Sequence, residues 1–357
     1  MPRRQKFKDV MSVIQQRILQ GDYVLSPIPG ERKIAEETGV SHMTARKAVR
    51  GLLEQKVLIR RPNGLLDIHP KHQGDIGSAH FLLLYPAYAS THLIHLRQLV
   101  FEAAEKHGLS MRPVQYVHWD DPVVASAASN PAGLIFIPSA VDVPGHLLSM
   151  LRSSKCVSLD LDLSEQEVPS ICLFPDSHII KVFDHLRELG HRRIGCISTQ
   201  YHNPEIERRI GLWRSWLERH GMTGELLERP TRSFADATPA AYDAMNELLK
   251  QGPLKSTAFV GTTFPAAVGA IRACWERGMI VGQDVSICAI NIESPAKFMT
   301  PSVTGLETPN VSKLLGKCFD WFTDSDWTGT KRLEPTRSEF VQGESTGPAR
   351  IPAESAG

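Results

Sequence analysis

The sequence lacks the close-set cysteine pairings typical of metal-binding and redox motifs. Its six cysteines (Cys156, Cys172, Cys196, Cys274, Cys288 and Cys318) are scattered with no paired short spacing. That leaves no CxxC-type metal or redox motif and favours reduced thiols over disulfides or metal ligands. Most of them sit in apolar runs such as CVSLDL and IGCIS, where buried, reduced thiols are expected, as suits a reducing cytoplasm. Long apolar stretches are missing too. None approaches the roughly 20 residues that span a bilayer, and MPRRQKFKDV at the N-terminus has charge but no apolar core of signal-peptide length. A soluble cytoplasmic protein with no membrane partner is expected. There is no nucleophile elbow, no phosphate-binding glycine loop and no dinucleotide fingerprint. An enzyme is therefore the remote reading, and no cofactor is expected.

Charge is present and unevenly placed. The net charge of +1 conceals a basic head: residues 1–72 hold 14 Lys and Arg against 7 Asp and Glu, +7, and the remainder 26 against 32, −6. A basic head on an acidic body points to a nucleic-acid partner for the head alone. At 357 residues the chain predicts two or three domains.

The stretch from Ser26 to Gly64 reads as helix, tight turn, helix, short strand and basic turn. Gly39 falls where the chain must bend sharply, which a residue without Cβ does cheaply. Ser41 is placed to cap the second helix. Ala45, Ala48, Val49 and Leu52 recur at helical spacing and should face inward. His42, Arg46 and Arg50 line the opposite face, with Lys47 beside them. A small apolar back and a basic front suit insertion into the DNA major groove. Phe7, Val10, Ile14 and Ile18 mark a first helix ending at Gly21, and Ile59 can pair with Leu66-Asp67-Ile68 as a wing.

Residues 7–69 resemble the winged helix-turn-helix of the GntR family of transcription regulators. The matching pieces are Gly21-Asp22-Tyr23, Pro29-Gly30-Glu31-Arg32, Gly39-Val40-Ser41, Thr44-Ala45-Arg46-Lys47-Ala48 and the hairpin Ile59-Arg60-Arg61-Pro62-Asn63-Gly64. The resemblance implies that Arg32, His42 and Arg46 meet DNA and that the wing glycine, Gly64, enters the minor groove. Ser41, Thr44 and Asn63 complete the expected interface, with Lys47, Arg60 and Arg61 on phosphates. Two departures bear on base preference and wing geometry. Arginine is commoner where His42 stands, and Leu65-Leu66 replaces a second wing glycine.

His69 to Ser78 is polar, carries Pro and two Gly and has no periodicity, so 71–78 is expected to be a linker; His69 and His72 in it read as solvated. Beyond it, short apolar runs (HFLLLYP, VQYVHW, GLIFIP, CVSLDLDL, RRIGCIS, STAFVG, VSICAIN) alternate with helical stretches ending at Gly190, Gly221, Gly252 and Gly278. That alternation predicts parallel sheets with right-handed crossovers, in two α/β lobes rather than one wide sheet.

Residues 79–345 resemble the effector domain of LacI/GalR-type regulators, related to periplasmic sugar-binding proteins. The resemblance rests on His185 to Gly195, Glu207 to Gly211, Thr257-Ala258-Phe259, Ala267-Val268-Gly269, Gly278, Asp284-Val285-Ser286, Thr300 to Thr304 and Arg337 to Thr346, in family order. The expected fold class is α/β: an N-terminal winged helix-turn-helix (1–70) plus a two-lobed parallel α/β periplasmic-binding-protein-like domain. It implies one lobe from about 79–174 and 304–328, another from about 175–301 and 332–345, and a disordered tail at 346–357.

For the cleft, the resemblance assigns Arg208 to a ligand carboxylate or vicinal hydroxyls, a role suited to a fixed fork of donors; a surface salt bridge with Glu205 or Glu207 is the alternative. Asp160, ending the strand CVSLD, is either an acceptor for ligand hydroxyls or a capping and hinge residue. Phe264 and Asn291 stand where sugar-binding members usually carry acidic residues, so the usual hydroxyl acceptors are lost. Tyr88, His92 and His95 follow the first strand and would face the ligand from the other lobe. His92 and His95 are spaced as a metal pair could be, but no cysteine or carboxylate nearby completes a site. The expected function is a ligand-responsive transcription regulator, a repressor, acting as a homodimer on a double-stranded DNA operator. Its effector would be carbohydrate-related, a sugar or sugar acid. The alternative is a DNA-binding regulator whose body is vestigial and binds no ligand.

Overall fold

A computed structural model of the chain describes residues 3–19, 28–62, 64–69, 81–88, 90–130, 132–139, 142–233, 235–323 and 326–350. The expected linker 71–78, Gly21-Asp22-Tyr23, Asn63 and the stretch from 351 on lie outside the described residues.

The head contains α1 (Arg3–Leu19), α2 (Glu31–Thr38), α3 (His42–Glu54), β1 (Leu58–Arg60) and β2 (Leu66–Ile68). Val10, Ile14 and Ile18 of α1 meet Ile34 of α2 and Ala45, Ala48, Val49 and Leu52 of α3 in one small core. Gly39 ends α2 at φ +64, and the next N–H, that of Val40, returns to the Ala35 carbonyl at 3.1 Å. This left-handed stop satisfies carbonyls the helix would otherwise leave open. Ser41 Oγ then accepts the Thr44 N–H at 3.3 Å as the cap of α3. The wing is an antiparallel pair, Leu58 opposite Ile68 and Arg60 opposite Leu66.

The body holds two six-stranded sheets. The first has β3 (Phe81–Pro86), β4 (Met111–Tyr116), β5 (Leu134–Phe136), β6 (Cys156–Leu159), β7 (Ser170–Ile171) and β13 (Arg332–Leu333). Its order is β13-β7-β6-β5-β3-β4, all parallel. The second has β8 (Ile194–Ser198), β9 (Leu226–Glu228), β10 (Ala258–Gly261), β11 (Ser286–Ile292), β12 (Thr304–Glu307) and β14 (Phe340–Val341). Its order is β14-β12-β11-β10-β8-β9, parallel except for β14. Helices α4 (Thr91–Lys106), α5 (Pro122–Ala128), α6 (Gly145–Arg152), α7 (Asp176–Glu188), α8 (Pro204–Arg219), α9 (Thr238–Lys250), α10 (Phe264–Glu276) and α11 (Ser312–Thr323) connect them. All six cysteines are free and buried. Among the described residues no helix is long and apolar enough to cross a membrane.

Three boundary expectations are corrected. Thr304–Glu307 belongs to the second sheet, because β12 extends the ladder of β11, past a register shift between Ala289 and Asn291. Arg332–Leu333 belongs to the first, paired with Ser170–Ile171. Helix α11 stays with the first lobe, where Phe322 stacks on Phe81 at 5.6 Å and Lys155 Nζ donates to the Trp321 carbonyl at 2.9 Å. The chain thus crosses between lobes after β7, after β12 and after β13. The third correction concerns the tail. Residues 346–350 are not free: Thr346 Oγ1 bonds His185 and Thr304, and the Gly347 N–H donates to Ser286 Oγ at 3.0 Å. His191 contacts the Gly347 carbonyl and Ala349 N–H reaches the Leu189 carbonyl, so this stretch is part of lobe two.

Candidate functional site

The face of the head that the sequence assigns to DNA is exposed and basic. Arg32 and Arg46 are exposed, and the Arg32 side chain retains 91% of its accessible surface. His42 lies 3.9 Å from Glu31, a carboxylate that also pairs with Arg60 at 3.3 Å. Glu31 therefore ties the wing to the start of the recognition helix. Arg60 also donates to the Gly64 carbonyl at 3.0 Å, closing the wing turn, where Gly64 has φ +81. Arg61 pairs with Asp67 and Arg50 with Glu54. These are exposed pairs worth little in water, so phosphates can replace the carboxylates at small cost. Lys47 is exposed, with its ammonium 4.6 Å over the Phe7 ring, toward α1. Met43 is 69% exposed at the second position of α3, next to His42, and residue-type reasoning passed over it because it carries no charge.

The body has a cleft of about 510 Å³ between the lobes. Tyr88 after β3, Ser139 after β5 and Asp160 after β6 form one wall; Gln200 after β8, Thr263 after β10 and Glu293 after β11 form the other. Both walls are thus the carboxyl ends of parallel strands, where strand order reverses beside β3 and β8, the place ligands occupy in such sheets.

Asp160 has φ +82, a left-handed conformation that costs a non-glycine residue energy. Its N–H donates to the Ile171 carbonyl at 2.9 Å and its carboxylate meets His92 Nε2 at 3.0 Å. Burial works against charge on both partners. The pair overrides it: Asp160 lifts His92 above its ordinary value, while His92 and the arginines hold Asp160 below the usual carboxylate range. Burial, with Asp160 adding, pushes Tyr88 up to about 12.

Of the residues assigned to the ligand, Asp160, Asn291, Tyr88 and His92 line the cleft. Arg208 does not. It bonds Glu205, Asp176 and the Phe174 carbonyl, beside a smaller cavity of about 90 Å³. The salt-bridge alternative with Glu205 describes it. Arg209 takes the cleft position: only 5% exposed, it donates to Glu205 at 2.8 Å, the Thr262 carbonyl at 2.7 Å and Asn291 Oδ1 at 2.9 Å. The signal was helical periodicity, since Ile206, Arg209, Ile210, Trp213, Trp216 and Leu217 form the buried stripe of α8. Phe264 is also corrected: it is 6% exposed in the core of lobe two, while its neighbours Thr263 and Pro265 face the cleft. Glu293 was overlooked, two residues beyond Asn291. Among the described residues no group of three or more His, Cys, Asp or Glu side chains could hold a metal ion.

Together these features define a winged helix-turn-helix protein with a two-lobed, periplasmic-binding-protein-like body. Residues 7–64 match the model of bacterial regulatory proteins of the gntR family, and residues 183–312 match that of the periplasmic binding protein-like domain; the chain joins a gntR-type head to that domain. Relatives include the HTH-type transcriptional regulator GanR of Bacillus subtilis, 32% identical over 134 residues, 35% of this chain and 39% of that protein. The HTH-type transcriptional repressor PurR of Salmonella arizonae is 30% identical over 182 residues, 48% of this chain and 50% of that protein. The chain spans half or less of the length of these curated relatives. In fold, a LacI family transcriptional regulator from Bifidobacterium animalis subsp. lactis matches with a TM-score of 0.64 at 17% identity, over 76% of this chain and 99% of that one. The lac repressor dimer bound to operator and the anti-inducer ONPF matches at 0.61 and 17%, over 79% and 99%. At those identities the likeness is one of fold.

Proposed function

We propose that this protein is a ligand-responsive transcription regulator of the cytoplasm, a repressor that binds a roughly twofold DNA operator as a homodimer. The observation that carries this reading is the pairing of an exposed basic recognition helix with a two-lobed body whose interlobe cleft is lined from both sides. Arg32, His42 and Arg46 read or clamp the operator. Arg60, Arg61 and Gly64 belong to the wing, and phosphate contacts make binding fall with salt. An effector that prefers one lobe arrangement shifts operator affinity by its difference in affinity between the two states. Dimerisation has support in lobe two, where Trp275, Ile280 and Phe298 are 62%, 56% and 79% exposed, and in the dimeric lac repressor, similar in fold. A vestigial body is disfavoured by strain kept at Asp160 and by polar atoms left open beside the cleft, both costly to retain without use.

The test is selection of bound duplexes from a random DNA pool with the full chain, followed by titration of the recovered sequence. Arg46→Ala is expected to cost on the order of 1–3 kcal/mol of operator affinity. Unchanged affinity would remove the recognition-helix assignment, and failure to enrich any sequence would remove the regulator reading.

A further inference from the structure

The cleft's charged groups are mostly spoken for; what remains open is two acceptor oxygens and the second ring nitrogen of His92. Arg209 is held by Glu205, Asn291 and the Thr262 carbonyl, and His92 Nε2 by Asp160. These are the cationic side chains of the cleft lining among the described residues, against the carboxylates of Asp142, Asp160, Asp162, Glu205 and Glu293; Asp160 is paired with His92, Asp162 with Arg332, and Glu205 with Arg208 and Arg209. Asn291 has its carbonyl oxygen occupied by Arg209, so the acceptor of lobe two moves to Glu293. Glu293 Oε2 is wholly buried without a hydrogen-bond partner, and so is Gln166 Oε1 on the facing lobe. A buried carboxylate oxygen left open costs free energy that an incoming donor would recover, most of all a charged one. A ligand carboxylate or phosphate would meet the reverse: the open carboxylate oxygen of Glu293, and arginines whose donors already go to the protein's own acceptors.

We propose that the effector is a cationic, amine-bearing polyol of sugar size, its ammonium received by Glu293 and its hydroxyls by Asp160 and Gln166. This rests on the cleft being an effector site, as proposed above, and it excludes sugar acids and sugar phosphates.

The test uses the full-chain protein at pH 7 and isothermal titration with three classes of probe: glucosamine and glucamine; glucose and sorbitol; gluconate and glucose 6-phosphate. Saturable binding of the amines is expected, weakened roughly tenfold or more in Glu293→Gln, with no binding of the anions. Tighter binding of a neutral or anionic probe, or an amine affinity unchanged in Glu293→Gln, overturns this inference and leaves the sensor reading standing. Silence across all three classes overturns both. The ranking on the unsubstituted protein decides the matter even if the variant does not fold.

Discussion

Replacing Arg209 by methionine keeps most of the stem volume and removes the guanidinium from a site where its side chain is only 6% exposed. Asn291 Oδ1 and the Thr262 carbonyl lose their donor, and Glu205 keeps Arg208 alone. Breaking a buried charge network of this kind costs about 3–5 kcal/mol. The same change at Arg208, 31% exposed and paired with an Asp176 that is 54% exposed, costs about 0–1 kcal/mol after solvent screening. For a body of this size each kcal/mol moves the melting temperature by about 2–4 °C. Arg209→Met should therefore lower it by about 10 °C and Arg208→Met by no more than about 4 °C. Tryptophan fluorescence is the assay of choice, because all six tryptophans (Trp119, Trp213, Trp216, Trp275, Trp321 and Trp327) lie in the body. The melt is thus blind to the head. Equal losses in the two variants, or a larger loss at Arg208, would refute the placement of Arg209 as the buried arginine.

Three further outcomes follow from the geometry. The His92–Asp160 pair stabilises the body fully below the unfolded histidine value of about 6.5 and above the unfolded aspartate value of about 3.9. That stabilisation is lost as pH rises through the raised pKa of His92. The gap in melting temperature between the unsubstituted protein and His92→Gln should be widest near pH 5–6 and shrink at alkaline pH; a gap independent of pH would refute the coupling. The comparison must be a difference, because burial lowers His95, His178, His185 and His191, whose effect on stability has the opposite sign. Gly269→Ala would set a Cβ 2.3 Å from the Thr238 carbonyl oxygen and 2.7 Å from the Tyr242 nitrogen. That forces α10 from α9 at about 1–3 kcal/mol, whereas Gly211→Ala, with open space around it, should hold or raise the melting temperature. On the proposed homodimer, Phe298→Asp should convert dimer to monomer in sedimentation velocity with the melt of the body retained; an unchanged dimer would move the interface elsewhere, and a monomeric unsubstituted protein would refute the dimer.

The sequence was most legible where a local rule and the tertiary fold ask for the same residue. Gly39 and Ser41 sit at a helix stop and a helix cap, and their chemistry serves those places whatever packs around them. The four apolar residues of α3 reached the core as a set because one helical period places them all. Long apolar strands such as β3 and β11 were visible as continuous runs. The two-residue strands β7, β13 and β14 were not, since they have no period of their own and exist only through the ladders they join. For the same reason the assignment of β12 and β13 to lobes slipped: which sheet accepts a short strand is decided by the neighbouring strand's open edge, not by its own composition.

The cleft shows the other limit. Arg208 and Arg209 have identical chemistry and adjoining positions, so neither residue type nor motif distance separates them. Successive residues of a helix point about 100° apart, and only the stripe that includes Trp213, four residues on, tells which guanidinium turns inward. Once Arg209 is inside, it takes the oxygen of Asn291, and the residue singled out for the ligand becomes a partner of the protein itself. Glu293 then holds the acceptor that Asn291 cannot offer. The cleft lining therefore shifts by one residue on a helix and by two beyond a strand, changes small in sequence that together exchange the charge the cleft presents.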